Sequence, residues 1–409
     1  MRAAFSVSVV LTGCTMAATS DVEQHAVSAT VKQERAALIR DSAAEMGLYN
    51  AALLGGIATS ETNFAHCWEE AQFACMGPAS SSCGGGPIIA GSADGPCSNE
   101  QGGLGMFQFD AGTYSQTVAT YGDSVLTVEG NTAQAVAFVV DKVIRDVDGI
   151  EDWNAAVAWI NAVPLVAGDA VTEEWAHLLA CRYNGCCANT AGCNSRAAEY
   201  RDNAIELYDE FGAEFWRTSD RCAGIPDDGV IDQRTECFVA GGEPRFWRHE
   251  TGGFGDDYEW TKSTAGQAPA NFAQWLLHPT RATTYRIEVY VEAGEATTAN
   301  YQIVHAGQTS TVTIDQTTAA GFVALGEFEL AADGTERVVL GDNTGLSGQK
   351  LVVDALRITA LDGAGSGNPD DPEPRGDGDG GGCTTGGGGG AGWLALAAVG
   401  LVLRRRRRF

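Results

Sequence analysis

The apolar residues of this chain repeat with two different periods, and the change falls near residue 237. Upstream they recur every three or four positions. Val31–Met46 sets Ala36, Leu38, Ile39, Ala43 and Met46 among Lys, Glu, Arg and Asp, the spacing of an amphipathic helix. Asn131–Val147 does the same through Ala135, Phe138, Val139 and Val143. Asn154–Ala162, Thr172–Cys181 and Ser195–Phe211 read as further helices, with Thr172 and Ser195 as candidate caps. Downstream the period is two: Thr284–Glu292 alternates Tyr285, Ile287, Val289 and Val291 with Arg286, Glu288, Tyr290 and Glu292. Shorter strands are expected at Asn300–His305, Thr309–Asp315, Phe322–Leu330, Arg337–Gly341 and Lys350–Thr359, separated by turns such as Ala332-Asp333-Gly334. The expected fold class is therefore multidomain: a mainly α domain over 28–217, a linker over 218–236, and an antiparallel β-sandwich over 237–360.

Charge and cysteine usage narrow the setting. Lys+Arg number 26 against Asp+Glu 53, a formal charge of −27, which excludes nucleic-acid binding through bulk electrostatics. Hydrophobic residues at 44% with 19% charged exclude wholesale disorder. Of twelve cysteines, Cys14 and Cys383 sit at the ends and ten lie in the body: eight between Cys67 and Cys193, then Cys222 and Cys237. An even set of this size reads as disulfides of an exported protein, with the pairing left open. The stretch 67–103, rich in Gly, Ser and Cys and without periodicity, reads as a disulfide-tied insertion. A bridge between Cys222 and Cys237 would brace the linker. Zinc at Cys186, Cys187 and Cys193 with His66 or His177 is the rival, but no Cys-x-x-Cys knuckle is present. The reading takes no metal and no cofactor.

Both ends look like addresses. Residues 1–14 carry Arg2, an apolar stretch and Leu11-Thr12-Gly13-Cys14, which resembles the lipobox of bacterial lipoproteins, with Cys14 as the lipidated residue. Ordinary signal cleavage near Ala17–Ala18 is the alternative. A Gly/Asp-rich linker over 361–383 ends at Cys383. Residues 384–409 add a glycine run, the apolar Trp393–Leu403 and Arg404–Arg408. This arrangement resembles the C-terminal sorting signals of myxobacterial-type surface proteins, which implies a sorting protease and anchoring at the bacterial cell surface. A plain tail anchor is the alternative. Without these basic residues 20 Lys+Arg face 53 acids, about −33.

Three segments of the helical half carry chemistry. Leu53–Phe64 is a mostly apolar helix ending in Glu61, and a carboxyl against an apolar wall has its charged form penalised, as a general acid requires. Gly102–Asp110 offers glycines that let backbone approach a ligand, and Gln108, both donor and acceptor. Tyr183-Asn184-Gly185 reads locally as a helix C-terminus. The ordinary alternatives are a solvated helix-end glutamate and a plain turn.

In order, Glu61-Thr62, Gly105-Met106-Phe107-Gln108 and Tyr183-Asn184-Gly185 resemble the lysozyme-like superfamily, in its soluble lytic transglycosylase and goose-type lysozyme branch. The resemblance covers about 30–215. It implies cleavage of the β-1,4 bond between N-acetylmuramic acid and N-acetylglucosamine in peptidoglycan. Glu61 would be the single acid/base, Gly105, Phe107, Gln108 and Asn184 would line the glycan site, and Tyr183 would orient Glu61 or the substrate. Glu61 and Gln108 stand farther apart than in the family, because of the insertion, and no second carboxylate is placed for hydrolysis, although Asp110 is available. The β half resembles golvesin C-terminal-like domains through Trp275 before the first strand, Tyr285–Val291, Tyr301–His305, Val312–Gln316, Leu325–Phe328 and Val353–Arg357. This implies a sandwich like that of carbohydrate-binding modules. His305 and Asp354 are either ligands or internal strand-end contacts. The combined expectation is a surface-displayed lytic enzyme with a glycan-targeting module. The alternatives are a non-catalytic glycan-binding or adhesion protein on the same scaffold, and a hydrolase of another polysaccharide. Walker, His-Glu-x-x-His and Gly-x-Ser-x-Gly motifs are not in the sequence.

Overall fold

A computed structural model describes residues 27–71, 74–91, 96–216, 222, 224–226, 228–292 and 294–361. Cys14, Cys383 and both terminal address segments lie outside these residues. Among those described, no helix is long and apolar enough to cross a membrane.

Eight α-helices come first: α1 Ala29–Glu45, α2 Ala52–Thr62, α3 Tyr114–Tyr121, α4 Val128–Asp146, α5 Trp153–Asn161, α6 Ala170–Asn184, α7 Ala191–Phe211 and α8 Ala213–Trp216. Two short strands, β1 Cys75–Ala79 and β2 Pro87–Ala90, pair antiparallel between α2 and α3. Twelve strands follow: β3 Val230–Ile231, β4 Phe238–Gly242, β5 Arg248–Thr251, β6 Asp257–Lys262, β7 Asn271–Leu276, β8 Thr283–Val291, β9 Ala299–His305, β10 Gln308–Ile314, β11 Gly321–Leu330, β12 Arg337–Gly341, β13 Lys350–Val353 and β14 Leu356–Ala360.

The described residues form two compact units. The first holds 27–39, 52–132 and 164–215; the second holds 40–51, 133–163 and 216–361. The boundary runs inside α1, α4 and α8, so α5 and most of α4 belong with the β-sandwich. The sequence-based boundary near 217 placed them in the helical domain.

In the first unit, α2 is buried from Ala52 to Ala58, with Leu53, Leu54 and Ile57 at 0–1% exposure. Each such side chain contributes about 1.5–3 kcal/mol of burial. Two caps differ from expectation. Asp169, not Thr172, caps α6, accepting from Val171 and Thr172 N–H. Thr190 caps α7 one turn before Ser195, accepting from Cys193 N–H. The Cys186–Cys193 disulfide fastens that extra turn. All ten body cysteines pair: 67–83, 75–97, 181–187, 186–193 and 222–237. The thiolates that zinc would need are thus consumed, and the first two bridges interlock within the 67–103 insertion. Five disulfides are the signature of an exported chain.

In the second unit, a five-stranded sheet ordered β10-β9-β12-β7-β4 faces a four-stranded sheet ordered β11-β8-β14-β3, and a third sheet is ordered β13-β6-β5. All pairings are antiparallel. Alternate residues Tyr285, Ile287, Val289 and Val291 of β8 and Trp275, Tyr301, Ile303, Val338 and Leu340 opposite form the core. Two expectations change. Lys350–Thr359 is two strands in different sheets, because at Asp354 the carboxylate accepts the N–H of Ala355 (2.8 Å) and Phe254 (2.9 Å) in place of a strand partner. Trp275 lies inside β7 rather than before the first strand, and four strands, β3 to β6, precede β7. The stretch read as linker contributes β3 to the sandwich, and Cys222–Cys237 ties that stretch down.

Candidate active site

The site lies within the first unit, where the last turn of α2 brings Glu61 against α7. Glu61 Oε1 accepts the hydroxyl of Tyr200 at 2.5 Å and Nη2 of Arg196 at 3.3 Å. One residue back, Ser60 Oγ accepts from Asn203 Nδ2 at 2.9 Å. Arg196, Tyr200 and Asn203 stand four and three positions apart, on one face of α7. The two helices approach closely at Gly56, where a Cβ would meet Ala204 Cβ at 2.7 Å and the Tyr200 carbonyl oxygen at 2.9 Å.

The glycine segment forms a tight hairpin turn. Leu104 and Phe109 exchange backbone bonds at 2.8 and 3.2 Å, and Gly105–Gln108 closes between them with φ of 70° at Gly105 and 51° at Gln108. Gln108 Nε2 donates to the Gly105 carbonyl at 2.7 Å. Asn131, fully buried on α4, holds the turn from beneath. It accepts Phe107 N–H at 2.9 Å and donates to the carbonyls of Leu104 (3.2 Å) and Val125 (2.9 Å). Any Cβ at position 105 would strike its side chain at 2.8 Å.

Two contacts join this turn to the other segments. Thr62 Oγ1 donates to the Met106 carbonyl at 3.0 Å, and the Tyr183 hydroxyl donates to the Phe107 carbonyl at 3.0 Å. The end of α6 also reaches Glu61 through Arg196, whose Nε donates to Asn184 Oδ1. Gly185 takes φ 67° and caps α6, the local reading of that tripeptide. The three sequence segments therefore converge. Tyr183 bonds to the turn and stacks obliquely on Tyr200 at 6.3 Å, while Tyr200 makes the direct bond to Glu61. Sequence reading missed Tyr200, Arg196 and Asn131; the spacing of Arg196 and Tyr200 on one helix face was the available signal.

Burial pushes the Glu61 carboxyl pKa up. Hydrogen bonds from Tyr200 and Asn184 and the charge of Arg196 pull the other way without cancelling it, and Glu199 adds to the rise. Glu199 shares Arg196 through Nη1 at 2.7 Å. Burial, then the charge of Glu61, also raises the hydroxyls of Tyr183 and Tyr200, so both stay protonated donors.

The remaining candidates have other surroundings. His66 is fully buried, its Nδ1 accepting Met106 N–H at 3.3 Å and its Nε2 bonded to the Leu126 carbonyl at 3.0 Å. Burial lowers its pKa to about 4, so it is a neutral strut under the turn, with both ring nitrogens taken. Asp110 accepts Gly112 N–H at 2.6 Å in its own turn. His305 bonds Ser310 and packs edge-on against Phe328. Asp354 is buried as described above, and burial raises its pKa to about 7. Both belong to the internal strand-end class.

One family model, that of the Golvesin C-terminal domain, matches part of the chain. Residues 230–360 match that domain. The match begins at β3. Among solved structures, a Paenibacillus xanthan lyase is 16% identical, over 33% of this chain and 13% of that one, with a TM-score of 0.25. A Podospora anserina GH26-CBM35 β-(1,4)-mannanase is 16% identical, over 33% of this chain and 28% of that one, with a TM-score of 0.24. This chain therefore spans less than a third of either protein. A search of the curated proteins returns no match.

Proposed function

We propose that the first unit cleaves a glycosidic bond of peptidoglycan as a lytic transglycosylase, with Glu61 as its one general acid/base. The observation that carries this reading is a largely buried glutamate of raised pKa, set beside a glycine turn and the end of α6. Because Oε1 is occupied by Tyr200 and Arg196, the acid proton belongs on Oε2. From there it passes to the glycosidic oxygen as the C1–O bond breaks. The resulting carboxylate takes the proton of the muramic C6 hydroxyl as that oxygen attacks C1, giving a 1,6-anhydro end and no uptake of water. Two-carboxylate hydrolysis needs a partner across the bond, and Asp110 is engaged in its own turn. Gly105, Phe107, Gln108 and Asn184 would line the sugar. Cys14 or Cys383 would hold the enzyme at the cell surface, with the golvesin-type unit as a glycan-targeting module.

One observation favours the second reading, a non-catalytic glycan-binding surface protein: the Arg196 ion pair stabilises the ionised form of Glu61. Zymography on purified cell walls separates the two. Clearing by the wild type and a loss of about 10²–10⁴-fold in Glu61→Gln are expected. No clearing by the wild type sinks the enzymatic reading, and equal clearing by both removes Glu61 from its role.

A further inference from the structure

Within the second unit, α4 and α5 meet the outer face of the five-stranded sheet around a cleft of about 510 Å³, a volume typical of small-molecule sites. Its floor is apolar: Phe272 from β7, Val304 from β9 and Val339 from β12, the outward members of strands whose alternate residues fill the sandwich core. Trp153, at the start of α5, stands edge-on to Phe272 with ring centroids 6.0 Å apart at 76°. The rim is acidic: Glu151, Asp152 and Glu243, together with Asp141, face a single cation, Arg337. Asp141 shares its charge with Lys142 and Arg145, so the excess acid is carried by the other three. An anionic ligand is disfavoured by this sign. A buried polar atom at the cleft, Trp153 Nε1, has no hydrogen-bond partner among the described residues. Buried polar groups of this kind call for a polar partner.

We propose that this cleft binds a short glycan of amino sugars carrying free amines. A sugar ring has an apolar C–H face for the Trp153–Phe272 floor and a rim of hydroxyls for the carboxylates, and a protonated amine answers the excess negative charge. The proposal is independent of the Glu61 reading, because it concerns the second unit and involves no cleavage.

The test uses the full chain carrying Glu61→Gln, so that no probe is cut. The readout is the Trp153 indole N–H resonance, assigned by its loss in Trp153→Phe. A glucosamine trimer is expected to shift it, whereas an N-acetylglucosamine trimer and cellotriose need on the order of tenfold higher concentration. Glu151→Gln, an exposed rim change, weakens the glucosamine trimer about two- to fivefold, the scale of an exposed charge pair. Glu329→Gln, an exposed acid away from the cleft, leaves it unchanged. The proposal is overturned if the trimer leaves the resonance unmoved, if the N-acetylated trimer or cellotriose binds equally well, if trilysine shifts it to the same extent, or if Glu329→Gln weakens binding as much as Glu151→Gln does.

Discussion

Tyr200 donates its hydroxyl to Glu61 Oε1 across 2.5 Å, from a helix 139 positions downstream of the carboxylate it touches. This bond favours the ionised form of Glu61 and so opposes the upward push of burial. Tyr200→Phe is therefore expected to raise the Glu61 pKa further, by about one unit, the worth of one charge-assisted hydrogen bond. Carbon-13 titration of the Glu61 carboxyl reads this directly. An unchanged or lowered pKa would contradict the assigned geometry.

Asn131 satisfies three backbone groups of the hairpin turn and its support from a fully buried position. Asn131→Ala strands the Phe107 N–H and the Val125 carbonyl, while the Leu104 carbonyl keeps the Phe109 N–H, and is expected to cost about 2–4 kcal/mol. Denaturant unfolding measures the loss. A cost below 0.5 kcal/mol would mean that the turn does not rely on this side chain.

Digested peptidoglycan tests the chemistry of the proposed reaction. Mass spectrometry is expected to find anhydro ends throughout. Products that carry added water, with no anhydro ends, would move the reaction to hydrolysis and require a second carboxylate, for which Glu199, the acidic partner of Arg196 on α7, is a candidate.

Glu259 sets a pH dependence for the second unit. Burial, then the nearby Glu45 and Asp257, raises its pKa to about 8. An acid with a raised folded pKa contributes stability that is complete below about pH 4.5 and is lost as pH rises through 8. Asp354, raised to about 7 chiefly by burial, acts in the same direction. Glu259→Gln is expected to leave stability at pH 5 nearly unchanged and to improve it at pH 9 by about 1–2 kcal/mol. Thermal unfolding at the two pH values checks the sign, and an equal effect at both would refute it.

The interlocked bridges Cys67–Cys83 and Cys75–Cys97 close loops of 16 and 22 residues' separation. Replacing the Cys75–Cys97 pair by alanines is expected to cost about 3 kcal/mol. Calorimetry of the double variant provides the number.

Much of this architecture could be read from periodicity. The alternation of Tyr285 to Val291 located β8 to within a residue, and the even cysteine count announced disulfides without their pairing. Elsewhere the local signal failed. β7 carries Phe272, Ala273, Gln274 and Trp275 in a near-continuous buried run, because its outer face is covered as well, so the two-residue period vanishes. Asp354 breaks one apparent strand into two by bonding backbone sideways, which no apolar pattern records. At the candidate site, Glu61, the glycine turn and Tyr183 were legible because each lies in a compact local motif. Tyr200, Arg196 and Asn131 were not, since their roles exist only once α4 and α7 are packed against segments far away in sequence.

The close approach at Gly56 has a consequence for the whole site. The gap between Glu61 and its hydroxyl partner is set five residues upstream by a position with no side chain, since a single methyl there would have to lever α7 outward. Tyr200, whose own carbonyl is one of the atoms that methyl would strike, would go with it. Gly56→Ala, a change that touches neither side chain, should therefore lengthen the bond between Tyr200 and Glu61.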